Sequence, residues 1–348
     1  MLKSVSNPPN PWGSLHREWL EAPPAARPKV WEEKAKSVLS RNESPDIHFR
    51  WSLNPYRGCA HACAYCYARP SHQYLGHGAG TDFETQLIVK TNAPEVLRKE
   101  FARPSWKGEC ILFSGNTDCY QPLEASYGLT RACLQVCLEH RQSVSLITKG
   151  ALIRRDIDLL AALSRVARVH VSVSLAWMDE DLSRAMEPGV PSPKTRLEVI
   201  RALSQAGISV GLGLAPIIPG LNDAQIPALI EAAAEAGATS AFRTLLRLPA
   251  EVEAVFTQAL RERLPSHADK VLSLTTQMRG GTLKNSAFGT RMTGRGPLWD
   301  LADQLFHTSC ARAGLNLMDE DSATFKPPEA EASFRRPTSQ RDLFEANE

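Results

Sequence analysis

Asn54-Pro55-Tyr56-Arg57-Gly58-Cys59-Ala60-His61-Ala62-Cys63-Ala64-Tyr65-Cys66-Tyr67 sets three cysteines at C-x3-C-x2-C spacing, with an aromatic residue directly before the last. Three thiolates on one tight loop can hold three corners of an iron–sulfur cube. One iron is then left without a protein ligand, and an open metal position is where chemistry happens; structural metal sites normally close all four positions. The same spacing admits a zinc knuckle with His61 or His72 as the fourth ligand. That reading describes a non-catalytic zinc or iron–sulfur module that binds nucleic acid.

Outward from this loop, short apolar runs alternate with helical patterns. Strands are expected at 49–53, 111–113, 144–148, 169–175, 208–214 and 241–246. Leu129, Cys133, Val136, Cys137 and His140 recur at helical spacing, as do Ile157, Leu160 and Leu163. Helices through Leu197, Ile200 and Leu203, and through Ile226, Leu229 and Ile230, stop at Gly207 and Gly237, a normal C-terminal signal. Residues 251–264 give the helix after the sixth strand. Strand–helix alternation implies a parallel sheet with helices outside it. Six such units fit a partial (β/α) barrel, in which chemistry lies at the C-terminal ends of strands. The cysteine loop follows the first strand and so falls at that end.

The chain has 348 residues, of which 43% are hydrophobic, enough to bury a sizeable core. Net charge is only +2, so no global field marks nucleic acid as the partner, although a local basic patch is compatible with it. No apolar run reaches 18 residues, which excludes a helical membrane span, and the first residues lack the apolar stretch of a signal peptide. A cytoplasmic protein is expected, with its eight cysteines as reduced thiols or metal ligands. Composition divides the chain into a partly ordered arm (1–45), a barrel (46–265), an extension packing on the barrel (266–318) and a flexible tail (319–348).

The cysteine spacing resembles that of the radical S-adenosylmethionine (SAM) superfamily. Further segments resemble its spore photoproduct lyase-like branch: Met186-Glu187-Pro188-Gly189 with Arg196-Leu197, Thr148-Lys149, Val171-Ser172-Val173-Ser174 and Leu214-Ala215-Pro216-Ile217. Asn116-Thr117-Asp118-Cys119-Tyr120-Gln121-Pro122-Leu123-Glu124 is similar to a T-D-x-Y-Q-P-x-E signature. Arg69-Pro70-Ser71-His72-Gln73-Tyr74-Leu75-Gly76-His77 extends the likeness to an uncharacterised bacterial subgroup. The similarity spans roughly residues 50–220.

The resemblance implies an α/β fold, a partial (β/α)6 TIM-like barrel with N- and C-terminal extensions. It implies a 4Fe–4S cluster on Cys59, Cys63 and Cys66, with SAM at the open iron. One electron from the cluster then breaks a carbon–sulfur bond of SAM and releases a 5′-deoxyadenosyl radical. An electron donor such as flavodoxin or ferredoxin is implied with it. Tyr65 would lie near the adenine, Lys149 would neutralise the SAM carboxylate, and Ser172 with Ser174 would meet the ribose. Asn116 falls where the SAM amino group binds, and backbone at Ala215 to Ile217 would contact adenine. The substrate is open; nucleic acid leads by analogy with the lyase branch.

Other candidates carry a bland reading beside the functional one. Asp118 and Glu124 suit contact with substrate or SAM, or a closed turn. Cys119 is a candidate hydrogen-atom donor, as a cysteine is in spore photoproduct lyase, but it falls a few residues beyond the matching position. His72 suits an active-site rim as proton donor or substrate contact, or a structural hydrogen bond. Cys133 and Cys137 lie one helical turn apart on an apolar face and read as core. The glycine-rich segment 279–296 carries Arg279, Lys284, Arg291 and Arg295 with Phe288, which suits phosphate contact and stacking, or a solvated loop.

Overall fold

The structure, a computed structural model, describes residues 28–47, 49–283, 287–318 and 333–336. The expected tail over 319–348 lies outside the described residues except for 333–336, as do the first 27 residues of the expected arm. The strands are β1 (Lys29–Glu33), β2 (Leu39–Arg41), β3 (Trp51–Leu53), β4 (Tyr56–Arg57), β5 (Gln86–Lys90), β6 (Ile111–Phe113), β7 (Val144–Thr148), β8 (Val169–Ser174), β9 (Ser209–Ile217), β10 (Ser240–Leu245) and β11 (Asn316–Leu317). The helices are α1 (Thr81–Thr85), α2 (Ala93–Ala102), α3 (Glu124–Tyr127), α4 (Leu129–Glu139), α5 (Ile157–Ser164), α6 (Glu180–Met186), α7 (Pro193–Gln205), α8 (Ile226–Glu235), α9 (Val252–Arg263), α10 (Pro265–Met278) and α11 (Pro297–Ala313).

β3, β6, β7, β8, β9 and β10 pair in that order, all parallel. They are the six strands expected from the sequence, and they form the partial (β/α)6 barrel. β2 adds antiparallel to the β3 edge, and β11 adds parallel to β10. A separate sheet of β1, β5 and β4 sits beside the barrel. The sequence showed no sign of it, because β1 is almost wholly exposed and has no alternation.

Alternation along the strands explains both faces of the wall. Val169, Val171 and Val173 of β8, and Val210, Leu212 and Leu214 of β9, join the main core beneath the helices. The opposite face carries His170, Ser172 and Ser174, then Gly211, Gly213 and Ala215. A closed TIM barrel fills its interior with layers of bulky side chains. Here the face of β8 and β9 that lines the lumen is small and polar. At Gly213 a Cβ would stand 2.9 Å from the Phe242 ring, and at Gly211 it would stand 2.5 Å from Ser240 Oγ. Both glycines thus let β10 side chains lie across the inner face of β9.

The helix ends follow local chemistry. Asp179 caps α6 by accepting from the Asp181 and Leu182 amides, and Ser192 caps α7 by accepting from the Thr195 amide. Gly207 and Gly237 take positive φ, at 73° and 99°, and end α7 and α8 as expected. The first and last barrel strands are tied across the open side. Asp46, ahead of β3, accepts from the Gly289 amide at 2.6 Å and pairs with Arg291 at 2.5 Å, while Leu245 of β10 donates to the Met292 carbonyl at 3.0 Å.

Candidate active site

The cysteine loop is held by its backbone from several directions. Gly58 has φ +74°, and a Cβ there would press on the Phe83 carbonyl at 2.8 Å. The Cys59 amide donates to that carbonyl at 2.9 Å. Gln121 clamps the loop twice: its Oε1 accepts from the Ala60 amide and its Nε2 donates to the Gly58 carbonyl, each at 3.0 Å. Buried Arg69 donates to the Cys63 carbonyl at 3.0 Å. The Ala64 amide donates to the Met186 carbonyl at 2.9 Å, and the Gly189 amide to the His61 carbonyl at 3.1 Å. The loop is therefore fixed by the 69–84 segment that follows it and by the distant 121 and 186–189 segments.

None of the three cysteines is in a disulfide: Cys59 and Cys63 are buried and Cys66 is half-buried. Burial pushes the Cys63 thiol well up, and the Lys149 charge opposes it; burial raises Cys66 as well. A cation is thus placed to favour the thiolate that metal binding requires. Among the described residues, no three His, Cys, Asp or Glu side chains converge tightly enough for one metal ion. A cube spreads its ligands over separate irons and does not require that convergence. Of the two candidate fourth ligands for zinc, His61 stands between Cys59 and Asp118, and His72 is engaged elsewhere. His61 Nδ1 lies 3.3 Å from Asp118, and His72 Nε2 lies 2.7 Å from the Gln86 carbonyl.

Tyr65, Lys149 and Ser174 come together as one group. Lys149 Nζ donates to Ser174 Oγ at 2.8 Å and lies 5.7 Å from the centre of the Tyr65 ring. Behind them is a buried network to which the sequence reading gave no role. Tyr65 donates its hydroxyl to Glu187, and Glu187 pairs with Arg196 at 2.8 Å with both side chains fully buried. Arg196 donates onward to the Ser174 carbonyl and to Ser183 Oγ, each at 3.0 Å. Burial alone would raise the Glu187 carboxyl; the Arg196 and Lys149 charges and the Tyr65 hydroxyl outweigh it and hold the carboxyl low. The quoted Met186-Glu187-Pro188-Gly189 and Arg196 were signals for this network, but the contacts are long-range and had to be seen.

The other expected site residues are distributed around this group. Ser172 sits deeper in the lumen, bonded to His170 Nε2 at 3.3 Å, with His170 Nδ1 2.9 Å from Ser209 Oγ. The Ala215 carbonyl lies 3.4 Å from Ser174 Oγ. Ile217 turns its side chain into the main core, and its carbonyl accepts from the Leu246 amide at 2.8 Å. The Asn116 amide donates to Asn54 Oδ1 at 3.0 Å, and its side chain to Ser71 Oγ at 3.2 Å.

Several candidates are already spent on structure. Asp118 accepts from Thr148 Oγ1 at 2.6 Å, the Lys149 amide at 2.7 Å and the Tyr120 amide at 2.9 Å, besides facing His61. Burial would raise its carboxyl, but the His61 charge and these bonds hold it at about 2. Asp118 therefore ties the turn after β6 to the end of β7, directly beneath Lys149. Glu124 is fully buried and takes Tyr56 Oη at 2.5 Å, the Thr130 amide at 2.8 Å and Arg155 at 2.6 Å. Cys119 packs into the main core with no exposure, and burial pushes its thiol well up. His72 is wholly buried behind the cysteine loop, edge-on to Phe83, and does not stand on the rim.

Segment 279–296 has two readings in sequence, phosphate contact or a surface loop, and its buried arginines are bonded within the protein. Arg279 is buried and donates to the carbonyls of Leu245, Leu246, Thr290, Arg291 and Thr293. Arg291 pairs with Asp46 and hydrogen-bonds Ser44 Oγ. Lys284 lies outside the described residues.

With this geometry in view, the family model described as the Radical SAM superfamily matches residues 53–233, over half of the chain. The chain belongs to the radical SAM superfamily. Its cofactors as a member are the 4Fe–4S cluster and SAM. An uncharacterised protein of Mycobacterium tuberculosis strain H37Rv is 42% identical over 211 residues, covering 60% of this chain and 62% of that one. The chain thus spans less than two thirds of that relative's length. An uncharacterised protein of Methanocaldococcus jannaschii is 30% identical over 192 residues, covering 55% of this chain and 69% of the relative. A spore photoproduct lyase variant solved with bound AdoMet and dinucleoside spore photoproduct shares the fold, with a TM-score of 0.60 over 83% of this chain and 80% of that chain at 15% identity. The residues suit the superfamily's cluster: three thiols on one pinned loop, a lysine beside them, and a polar lumen below. Among the described residues, no helix is long and apolar enough to cross a membrane.

Proposed function

We propose that the chain is a radical SAM enzyme that holds a 4Fe–4S cluster on Cys59, Cys63 and Cys66 and cleaves SAM to begin radical chemistry on a substrate in the barrel mouth. When bound, the cluster supplies the electron that breaks a carbon–sulfur bond of SAM. The observation that carries the reading is Lys149, a cation beside both the Cys63 loop and the lumen, held against Ser174 and the Tyr65 ring. Each of the chain's own residues then has a task. Lys149 neutralises the carboxylate of SAM, a charge-assisted contact strengthened where water is excluded. Tyr65, locked by Glu187, gives a flat apolar face for the adenine. Ser174 and Ser172 offer hydroxyls to the ribose along one wall. Nucleic acid is the leading substrate class, and a cytoplasmic setting would keep the thiols reduced.

The test is anaerobic reconstitution with iron and sulfide, followed by dithionite and SAM, with 5′-deoxyadenosine measured by mass spectrometry. Formation by the wild-type chain and loss in Cys63→Ala is the expected result. A loaded cluster that neither binds SAM nor yields 5′-deoxyadenosine contradicts the proposal.

A further inference from the structure

Arg247 follows β10 at the barrel mouth, and its guanidinium lies 5.7 Å from the centre of the Tyr67 ring. Tyr67 directly follows Cys66, so this cation stands beside the cysteine loop. The Tyr67 hydroxyl donates to the Gly115 carbonyl at 3.1 Å, which fixes a ring that is still 51% exposed. Arg247 Nε is buried with no hydrogen-bond partner. No carboxylate pairs with Arg247 among the described residues. Asp46, the acid whose charge it feels, is already taken by Arg291 at 2.5 Å and by the Gly289 amide at 2.6 Å. Burial and the neighbouring Arg291 both work against the charge on Arg247. A buried donor left unpaired beside a site calls for a partner that arrives from outside.

We propose that Arg247 and Tyr67 form an oxyanion subsite at the barrel mouth that takes a phosphate of the substrate, with the adjoining ring of a nucleotide against Tyr67. The inference rests on the reading of the chain as a radical SAM enzyme acting on nucleic acid. The planar arginine fork matches a phosphate bidentately, and an exposed tyrosine face stacks on any base. Phe288, 61% exposed with Arg291 stacked 4.6 Å from its ring centre, extends the same surface. Lys149 lies deeper, against Ser174, so the two cations address different anions: one the cofactor's, one the substrate's.

The experiment measures binding of the dinucleotide TpT and of thymidine to the cluster-loaded full chain with SAM, at several salt concentrations. TpT is expected to bind about tenfold to hundredfold tighter than thymidine, the range of a hydrogen bond to a charged group. Arg247→Gln is expected to remove that preference and to flatten the salt dependence by roughly one phosphate contact. Arg247→Lys, which keeps the charge without the fork, is expected to recover part of it. Equal preference in all three proteins overturns the subsite. So does displacement of TpT by succinate at concentrations where inorganic phosphate has no effect, which would assign the site to carboxylates. 5′-Deoxyadenosine formation by the wild-type chain without any probe reports on the enzyme reading separately. Phosphate-dependent binding without SAM cleavage keeps the subsite and sinks the function; cleavage without phosphate dependence does the reverse.

Discussion

The cysteine loop and the glycine-rich segment 279–296 both stand at the mouth end of the barrel, and they spend their bonding capacity in opposite ways. In the cysteine loop the backbone is committed, to Phe83, Gln121, Arg69, Met186 and Gly189, while the three thiols are in no disulfide. In the 279–296 segment two arginines are committed: Arg279 to five carbonyls, Arg291 to Asp46. Charge or thiol content alone does not mark a site. What marks it is a fixed backbone that presents side chains with nothing yet to bind. Arg247 belongs with the thiols in this respect, and Arg279 does not.

The sharpest way to break this contrast is to substitute residues on both sides. Cys63→Ala is expected to abolish cluster absorbance and 5′-deoxyadenosine formation, with a melting temperature close to that of the apo wild type. Iron retained at wild-type stoichiometry would remove Cys63 from the ligand set. Glu187→Ala leaves Arg196 buried without its counter-charge and is expected to cost about 3–5 kcal/mol in denaturant unfolding. A cost below about 1 kcal/mol would mean the pair is solvated and does not anchor the loop. Arg279→Ala strips donors from five carbonyls and is expected to cost roughly 2–3 kcal/mol, while the folded fraction still loads the cluster. Loss of SAM binding at unchanged stability would instead make Arg279 a functional cation.

Two smaller effects refine the lumen side. Lys149→Gln is expected to weaken SAM binding to the cluster-loaded chain by about tenfold, the scale of one charge-assisted bond. Unchanged affinity would move the carboxylate contact elsewhere. His170 has its imidazole pushed down to about 4 by burial and by the nearby Arg168 charge. Its folded value lies below the free value of about 6.5, so the unfolded chain takes up the proton first. Stability from this group is complete above the free value and is lost as pH falls towards 4. His170→Asn should flatten the stability–pH curve in that window. An identical curve would mean that water reaches His170 freely.

Much of this contrast was legible in the sequence. The six barrel strands were visible because each carries a compact apolar run between helix signals, and the cysteine spacing needed only counting. The polar inner face was written in Val-His-Val-Ser-Val-Ser and Val-Gly-Leu-Gly-Leu-Ala, where every inward residue is small or polar, but it emerges only once the outer face is known to be buried. Gln121 and Glu187 were not legible as supports, since each acts on the cysteine loop from far along the chain, and Arg69 and Arg196 because an arginine's burial cannot be read from its place in the sequence. His72 and Cys119 each read two ways in sequence, reactive or structural; the structure buries one behind the loop and the other in the main core. The small sheet of β1, β5 and β4 escaped notice because pairing 29–33 with 86–90 depends on backbone bonds and leaves no periodic pattern.

The most direct test of the central claim, that the pinned loop leaves one iron open, is electron paramagnetic resonance of the dithionite-reduced, reconstituted chain with and without SAM. A spectrum of a reduced four-iron cluster that changes on adding SAM, and is absent from Cys63→Ala, is the result this account predicts. A cluster signal indifferent to SAM, or a protein that takes up zinc in place of iron and gives no signal, would contradict it.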